Sequence, residues 1–408
     1  MNARSSESRT SVVLTNVRGF TIISIVAFHG LMAYLAYNPA PHPRYFPPPL
    51  ISDAHRWIGF DVLCAFEYMY MMQFMFLLSG LFVWPSLVRR GARAFVRRRL
   101  LRLGIPFVLG VYLMMPLAQL PIYLGNNSRP TWSGFWSEWL ALPYWPSGQL
   151  WFLWCLLLLD VAAAGVFVLR PQAVEFLGRI SLAARDHPVR YFWVLLAASA
   201  VGYVPLALIF SPWEWAHLGP FAFQPSFALL YAIYFVAGVG MGVFGIQSSL
   251  FGAGGKLGDY WLRWIVIALT GFVFWTIPTA LAVQQAADPL TPILNVVAAL
   301  GFVVASTGAC FALAAVFVRY CTAHSPLLTR LSDHAYAIYF FHYGFVLWLQ
   351  YMLLDLPLIA PLKAAIVITG ALLLSFAASA VTSQMALPQR YAKLRAHSAP
   401  RLSERPFR

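Results

Sequence analysis

The stretch Arg18 to His29, RGFTIISIVAFH, decides how this chain is read. An arginine opens an apolar run, ten residues follow, and a histidine sits within it. On a helix the eleven-residue step advances ~16 Å and returns to within ~20° of the same face, so Arg18 and His29 point the same way. With Arg18 at one interface of a bilayer core ~30 Å thick, His29 lies near the midplane. An ionisable ring at that depth faces a bundle interior or a wet cavity and has a task there. The bland reading is a histidine that only hydrogen-bonds a neighbouring helix.

Working outward, the composition demands a membrane. The 408 residues are 60% hydrophobic and 10% charged, with a mean hydropathy of +0.69, which the apolar runs resolve into one polytopic unit rather than several soluble domains. A net charge of +14 invites a nucleic-acid reading, but the positions of the charges argue against it. The four cysteines, Cys64, Cys155, Cys310 and Cys321, have no metal-ligand spacing, so neither a disulfide scaffold nor a metal site is expected. Basic residues before an apolar run imitate a signal peptide. Arg18 and His29 favour an uncleaved first helix instead.

The chain is expected to be an all-α polytopic membrane protein with about ten transmembrane helices. The spans are read near 14–36, 59–84, 103–124, 149–169, 191–210, 223–245, 261–283, 293–318, 334–355 and 361–386. Pro106 and Pro116 interrupt the third, and Pro278 the seventh. Of the 28 Lys and Arg, 24 fall on one side, leaving Arg44, Arg56, Arg129 and Lys363 on the other. The positive-inside rule then makes both termini cytoplasmic. Residues 1–13 are expected to be a disordered cytoplasmic tail, 14–388 a single transmembrane domain, and 389–408 a basic cytoplasmic tail. No internal repeat of the kind common in transporters is evident.

The outer loops carry their own chemistry. Residues 37–58 are proline-rich and hold His42, Arg44, Asp53, His55 and Arg56; residues 125–148 hold Trp132, Trp136, Trp139, Tyr144, Trp145 and Glu138; residues 211–220 hold Trp213, Glu214, Trp215 and His217. Rings and carboxylates suit a sugar acceptor, with Asp53 and His55 as candidate binding residues. For the tryptophans an interfacial aromatic belt is the preferred explanation.

On the inner side, VRRGARAFVRRRLLRLGIP carries Arg93, Arg97, Arg98, Arg99 and Arg102. Topology explains part of this cluster. The surplus would cradle a polyanion, since guanidinium binds phosphate bidentately; a phosphate-rich cofactor and an anionic lipid headgroup both fit. In the second span Glu67 either pairs with His29 and tunes it or locks two helices together. In the ninth, Tyr336, Tyr339 and His342 form a polar stripe, either a substrate-binding surface or a row of interhelical hydrogen bonds.

Several of these motifs, in this order, resemble those of the integral-membrane acyltransferases of acyltransferase family 3. The resemblance rests on Arg18 and His29, on FMFLLSGLF with Ser79 and Gly80, on RRRLLRLGIP, and on SDHAYAIYFFH, where Ala335 stands in place of the usual second serine. The stretch GQLWFLWCLLLLD is also similar to a branch that modifies periplasmic glucans, commonly by succinylation. The resemblance implies an acyl donor, usually acyl-CoA, and a hydroxyl acceptor on an extracytoplasmic glycan or lipid-linked sugar, in a bacterial inner membrane. It casts His29 as general base with Glu67 beside it, and Arg18 with the 93–102 arginines on the donor's phosphates. Longer relatives add an extracytoplasmic hydrolase-like domain, for which this chain has no insert. A proton-coupled transporter with His29 and Glu67 as a relay is the competing expectation.

Overall fold

In the computed structural model, which describes residues 3–37, 51–284 and 289–398, the decisive stretch lies in α1 (Ala3–Leu31). The helix starts at Ala3, within the residues expected to be a disordered tail. His42 and Arg44 lie outside the described residues. The second span, Ile58–Arg90, is assembled from α2 (Ile58–Tyr68), α3 (Met71–Gly80) and α4 (Val83–Arg90). The third, Ala92–Asn126, comprises α5 (Ala92–Arg99), α6 (Ile105–Leu109) and α7 (Met115–Asn126), joined by the π-helical turns Leu100–Gly104 and Gly110–Met114. After α8 (Trp132–Leu140) come α9 (Trp151–Leu169), α10 (Pro171–Leu182) and α11 (Pro188–Ile209). A two-stranded antiparallel ribbon, β1 (Ala216–Leu218) and β2 (Phe221–Phe223), pairs Ala216 with Phe223. α12 (Ala228–Val243), α13 (Trp261–Gln284), α14 (Thr291–Tyr320), α15 (Pro326–Leu353) and α16 (Ala360–Ser398) complete the bundle.

Among the described residues, nine segments are long and apolar enough to cross a membrane. α15 is long enough, at 28 residues, but Arg330, Asp333, His334, His342 and Gln350 lower its hydropathy. It nevertheless runs the same course as α1. An ideal Cβ on Gly19 would lie 2.3 Å from Leu328 O, His29 meets His342, and Gln350 Nε2 donates to His29 O at 3.0 Å. Matching steps in the same order make α1 and α15 parallel neighbours over a common depth, so α15 stands beside the nine as a further helix of membrane length among the described residues. α16 returns antiparallel, with Lys363 beside Leu354 and Ser379 beside His334. α16 thus leads back to the end of the bundle that carries Arg18. Its helix runs on to Ser398, through the boundary expected near residue 388.

The prolines of the third span bend the helix without ending it. Proline cannot donate to the carbonyl one turn back, and its ring crowds that group. Three carbonyls at these prolines find a side-chain donor from a neighbour. Tyr336 Oη donates to Arg102 O, four residues before Pro106. Trp145 Nε1 donates at 3.0 Å to Val111 O, the π-register acceptor that Pro116 leaves empty. Trp348 Nε1 donates at 3.0 Å to Leu117 O, four residues before Pro121. Such replacement donors are the condition for proline in a membrane helix. α13 likewise continues through Pro278.

Gly80 explains the Ser-Gly pair of the second span. A Cβ there would lie 2.2 Å from Phe235 O, and one on Gly238 would lie 2.1 Å from Leu77 O, so α3 and α12 touch backbone to backbone.

Candidate active site

His29 is held by its own helix and by one partner. Its Nδ1 lies 2.9 Å from Ile25 O and 3.3 Å from His342 Nε2. The two rings meet edge to face at 5.1 Å, and the Tyr343 ring stands perpendicular to His29 at 5.4 Å. His342 is fully buried, and its Nδ1 lies 2.7 Å from Tyr339 O and 3.2 Å from Ile338 O. Gln350 fastens the end of α1 here through His29 O and Gly30 O. Among the described residues His29 Nε2 has no hydrogen-bond partner.

The segment before α9 reaches the same depth. Gln149 Nε2 donates to Phe340 O at 3.2 Å, and Tyr339 Oη donates to Gln149 O. Gly148 adopts φ +49°, and a Cβ on it would fall 2.6 Å from Met115 Cε and 3.2 Å from Tyr343 Cε1. Glycine is needed here for both the turn and the close approach. The fourth span is therefore irregular down to Gly148 and helical only below it. Irregular backbone at membrane depth is tolerated where it is buried in protein or lines a cavity. Around this turn Ser147 Oγ, Gln149 Oε1 and Tyr343 Oη are buried without hydrogen-bond partners among the described residues. The aromatic loops lie above, where Tyr144 and His217 stack at 3.9 Å; burial pushes the Tyr144 phenol up and the His217 imidazole down.

Three helical turns below His29, the charges of Arg102 and Asp333 act on Arg18. Arg102 lies over the Tyr336 ring, its guanidinium carbon 5.6 Å from the centroid. A pair of arginine charges and a half-buried imidazole therefore lie three turns apart along the same side of α1. A family model described as an acyltransferase domain matches residues 12–380.

The chain belongs to acyltransferase family 3.

No curated protein and no solved structure matches it. As a family-3 protein with this array of apolar helices, it is a multi-pass membrane acyltransferase, using an acyl donor and an acceptor.

Against that assignment the candidate residues separate. Arg18 and Arg102 come together. Arg99 faces away from solvent, its Nε 3.1 Å from the buried carboxylate of Asp160 on α9, and stacks on Phe95. Phe95 and Arg99 share the face turned to the bundle, whereas Arg93, Arg97 and Arg98 project outward and are exposed. The single arginine cradle expected from sequence is thus divided between two faces. Glu67 is not the partner of His29: its Oε2 is buried and unpartnered among the described residues, and His342 occupies the place beside the ring. The His29–Glu67 relay that would have served a transporter loses its contact.

Three proposed substrate contacts are also otherwise engaged. The Tyr336 and Tyr339 hydroxyls donate to Arg102 O and Gln149 O, so these residues fasten helices. Asp53 accepts from Lys363 Nζ at 2.6 Å and from His55 N at 2.7 Å, with His55 Nδ1 at 3.2 Å; it staples the segment before α2 to α16. His55 keeps an exposed ring but is tied to that staple. His342 was expected as a substrate contact and instead touches His29.

Ser147, Gln149, Tyr343, Asp160 and Gln350 escaped the sequence reading. Asp160 and Gln350 had a usable signal, a carboxylate and an amide inside apolar runs that require buried partners. Gln149 and Ser147 had none, because they stand at the margin of the expected span.

Proposed function

We propose that the protein is an O-acyltransferase working across a bacterial inner membrane, with both termini cytoplasmic. The donor is an acyl-CoA whose phosphates lie against Arg18 and Arg102; the acceptor is a hydroxyl of an extracytoplasmic glycan or lipid-linked sugar. The observation that carries this reading is the His29 ring, with a free Nε2 three turns above Arg18 on one helix face. Eleven residues of helix span ~16 Å, the order of separation an extended thioester donor needs between its phosphates and its acyl carbon.

In this reading the acceptor comes from the aromatic end, past the turn at Gly148. Ser147 Oγ, Gln149 Oε1 and Tyr343 Oη, buried without partners among the described residues, suit the hydroxyls of a sugar. His29 Nε2 removes the acceptor's proton as its oxygen forms a bond to the thioester carbonyl carbon. The tetrahedral intermediate expels the thiolate, which takes the proton from the imidazolium, leaving ester and free thiol. The group transferred in this reading is of the acetyl or succinyl class.

The test is purified protein in lipid nanodiscs with labelled acetyl- or succinyl-CoA and a glycan acceptor mixture. Acyl label on the acceptor supports the reading. Donor binding without transfer to any hydroxyl acceptor, in wild type and His29→Gln alike, overturns it.

A further inference from the structure

We propose that His342 is a positioning residue that, together with Ile25 O, fixes the tautomer of His29, so that Nδ1 carries the proton and Nε2 is the basic atom. The inference rests on the reading of His29 as general base and goes beyond it by assigning the proton inventory of the pair.

Backbone carbonyls only accept, and each imidazole directs one nitrogen at a carbonyl of its own helix. His342 Nδ1 stands 2.7 Å from Tyr339 O and 3.2 Å from Ile338 O, so Nδ1 bears the proton. In the neutral ring Nε2 is then a bare acceptor. It faces His29 Nδ1 at 3.3 Å, while that same nitrogen stands 2.9 Å from Ile25 O. Both neighbours of His29 Nδ1 can only accept, so it carries a proton shared between them. His29 Nε2 is left with its lone pair and no partner among the described residues.

The opposite assignment places a nitrogen lone pair against a carbonyl oxygen twice, at Ile25 and at Tyr339. Protonating His342 on both nitrogens would instead make the fully buried ring a cation with no carboxylate bonded to it among the described residues. Helix packing sets the arrangement, since the close approach at Gly19 and Leu328 and the Gln350 bonds to His29 O and Gly30 O hold α1 against α15. An isolated imidazole interconverts between tautomers; this one is held in a single form.

The experiment has two arms. In nanodiscs, ¹⁵N spectra of histidine-labelled wild-type protein, assigned by the signals lost in His29→Asn, should show a protonated Nδ1 and an unprotonated Nε2 at His29. A protonated Nε2 there overturns the proposal, whatever the activity. In turnover, His342→Leu removes one of the two acceptors of the His29 Nδ1 proton and should lower kcat about two- to tenfold with donor KM unchanged, the worth of one neutral hydrogen bond. His342→Gln, whose amide oxygen can accept from His29 Nδ1, should recover most of that loss. Equal activity of the Leu and Gln variants, both properly folded, would sink the idea. If the spectra show the expected tautomer while no acyl transfer is detected, the proposed function fails and the tautomer assignment stands.

Discussion

Two buried polar clusters hold this bundle, and they differ in what they leave over. At the end of the bundle away from Arg18, Asp53 and Lys363, both fully buried, meet at 2.6 Å; Lys363 also donates to Leu354 O, and the second Asp53 oxygen accepts from His55. The Asp53 backbone is engaged as well, its N–H with Ala33 O and its carbonyl with Arg56 Nε. Around His29 the satisfied contacts stop short: His29 Nε2, Tyr343 Oη, Gln149 Oε1 and Ser147 Oγ have no partner among the described residues. A closed cluster holds chain segments in place. An open one costs stability and persists where a ligand completes it.

That contrast makes opposite predictions for substitutions of similar polarity. His29→Gln retains a hydrogen-bonding side chain but removes the base, so kcat should fall by about 10²–10⁴-fold while thermal stability is kept. Near-normal turnover would leave the open cluster without its central group. Asp53→Asn or Lys363→Met should do the reverse. Removing one member of a buried ion pair costs roughly 3–5 kcal/mol, and replacing both members by apolar residues should restore much of it. Melting curves measure that loss, and specific activity of the folded fraction should stay near wild type. A drop in turnover without a drop in stability would move Asp53 back among the substrate contacts.

The arginines allow a finer version of the same test. Arg102→Gln should raise donor KM ~10-fold, since a hydrogen bond to a charged group is worth about 1.5–3 kcal/mol. Arg97→Gln and Arg98→Gln, on the outward face, should change it by less than about fivefold, the ~1 kcal/mol ceiling of an exposed pair. Equal effects would restore the single cradle. Smallest of all, Tyr343→Phe deletes a hydroxyl with no partner among the described residues, so stability should hold or rise slightly. Acceptor KM should rise by about two- to tenfold if that hydroxyl meets substrate, the value of one neutral hydrogen bond. An unchanged KM would remove Tyr343 from the acceptor's path.

Residues with strong chemical signatures were the legible ones. Arg18 and His29 announced a shared face through spacing alone, and the apolar runs announced the spans. The motif around His342 was visible, but its partner was not. Glu67 seemed the natural companion of His29, because an acid and an imidazole in adjacent spans attract attention and a second histidine 313 residues away does not. The prolines of the third span read as interruptions. Their donors, Tyr336, Trp145 and Trp348, come from segments distant in sequence.

The amino-acid sequence by itself determined the membrane class, the helical spans, the one-sided distribution of arginine among the loops and the Arg18–His29 alignment. These follow from local quantities: hydropathy over some twenty residues, the helical repeat, and the charge of short loops. The tertiary structure alone decided that His342 stands against His29, that Tyr336 and Tyr339 cap carbonyls, and that Asp53 is closed off by Lys363. It also decided that Arg99 turns inward to Asp160 and that the turn at Gly148 sinks to the depth of the histidine pair. Each of these depends on which helix lies beside which, and in this apolar bundle that choice comes from close backbone packing at residues such as Gly19 and Gly80. Many pairings of apolar helices satisfy the same hydropathy, whereas few let the backbones meet and the buried polar groups find partners.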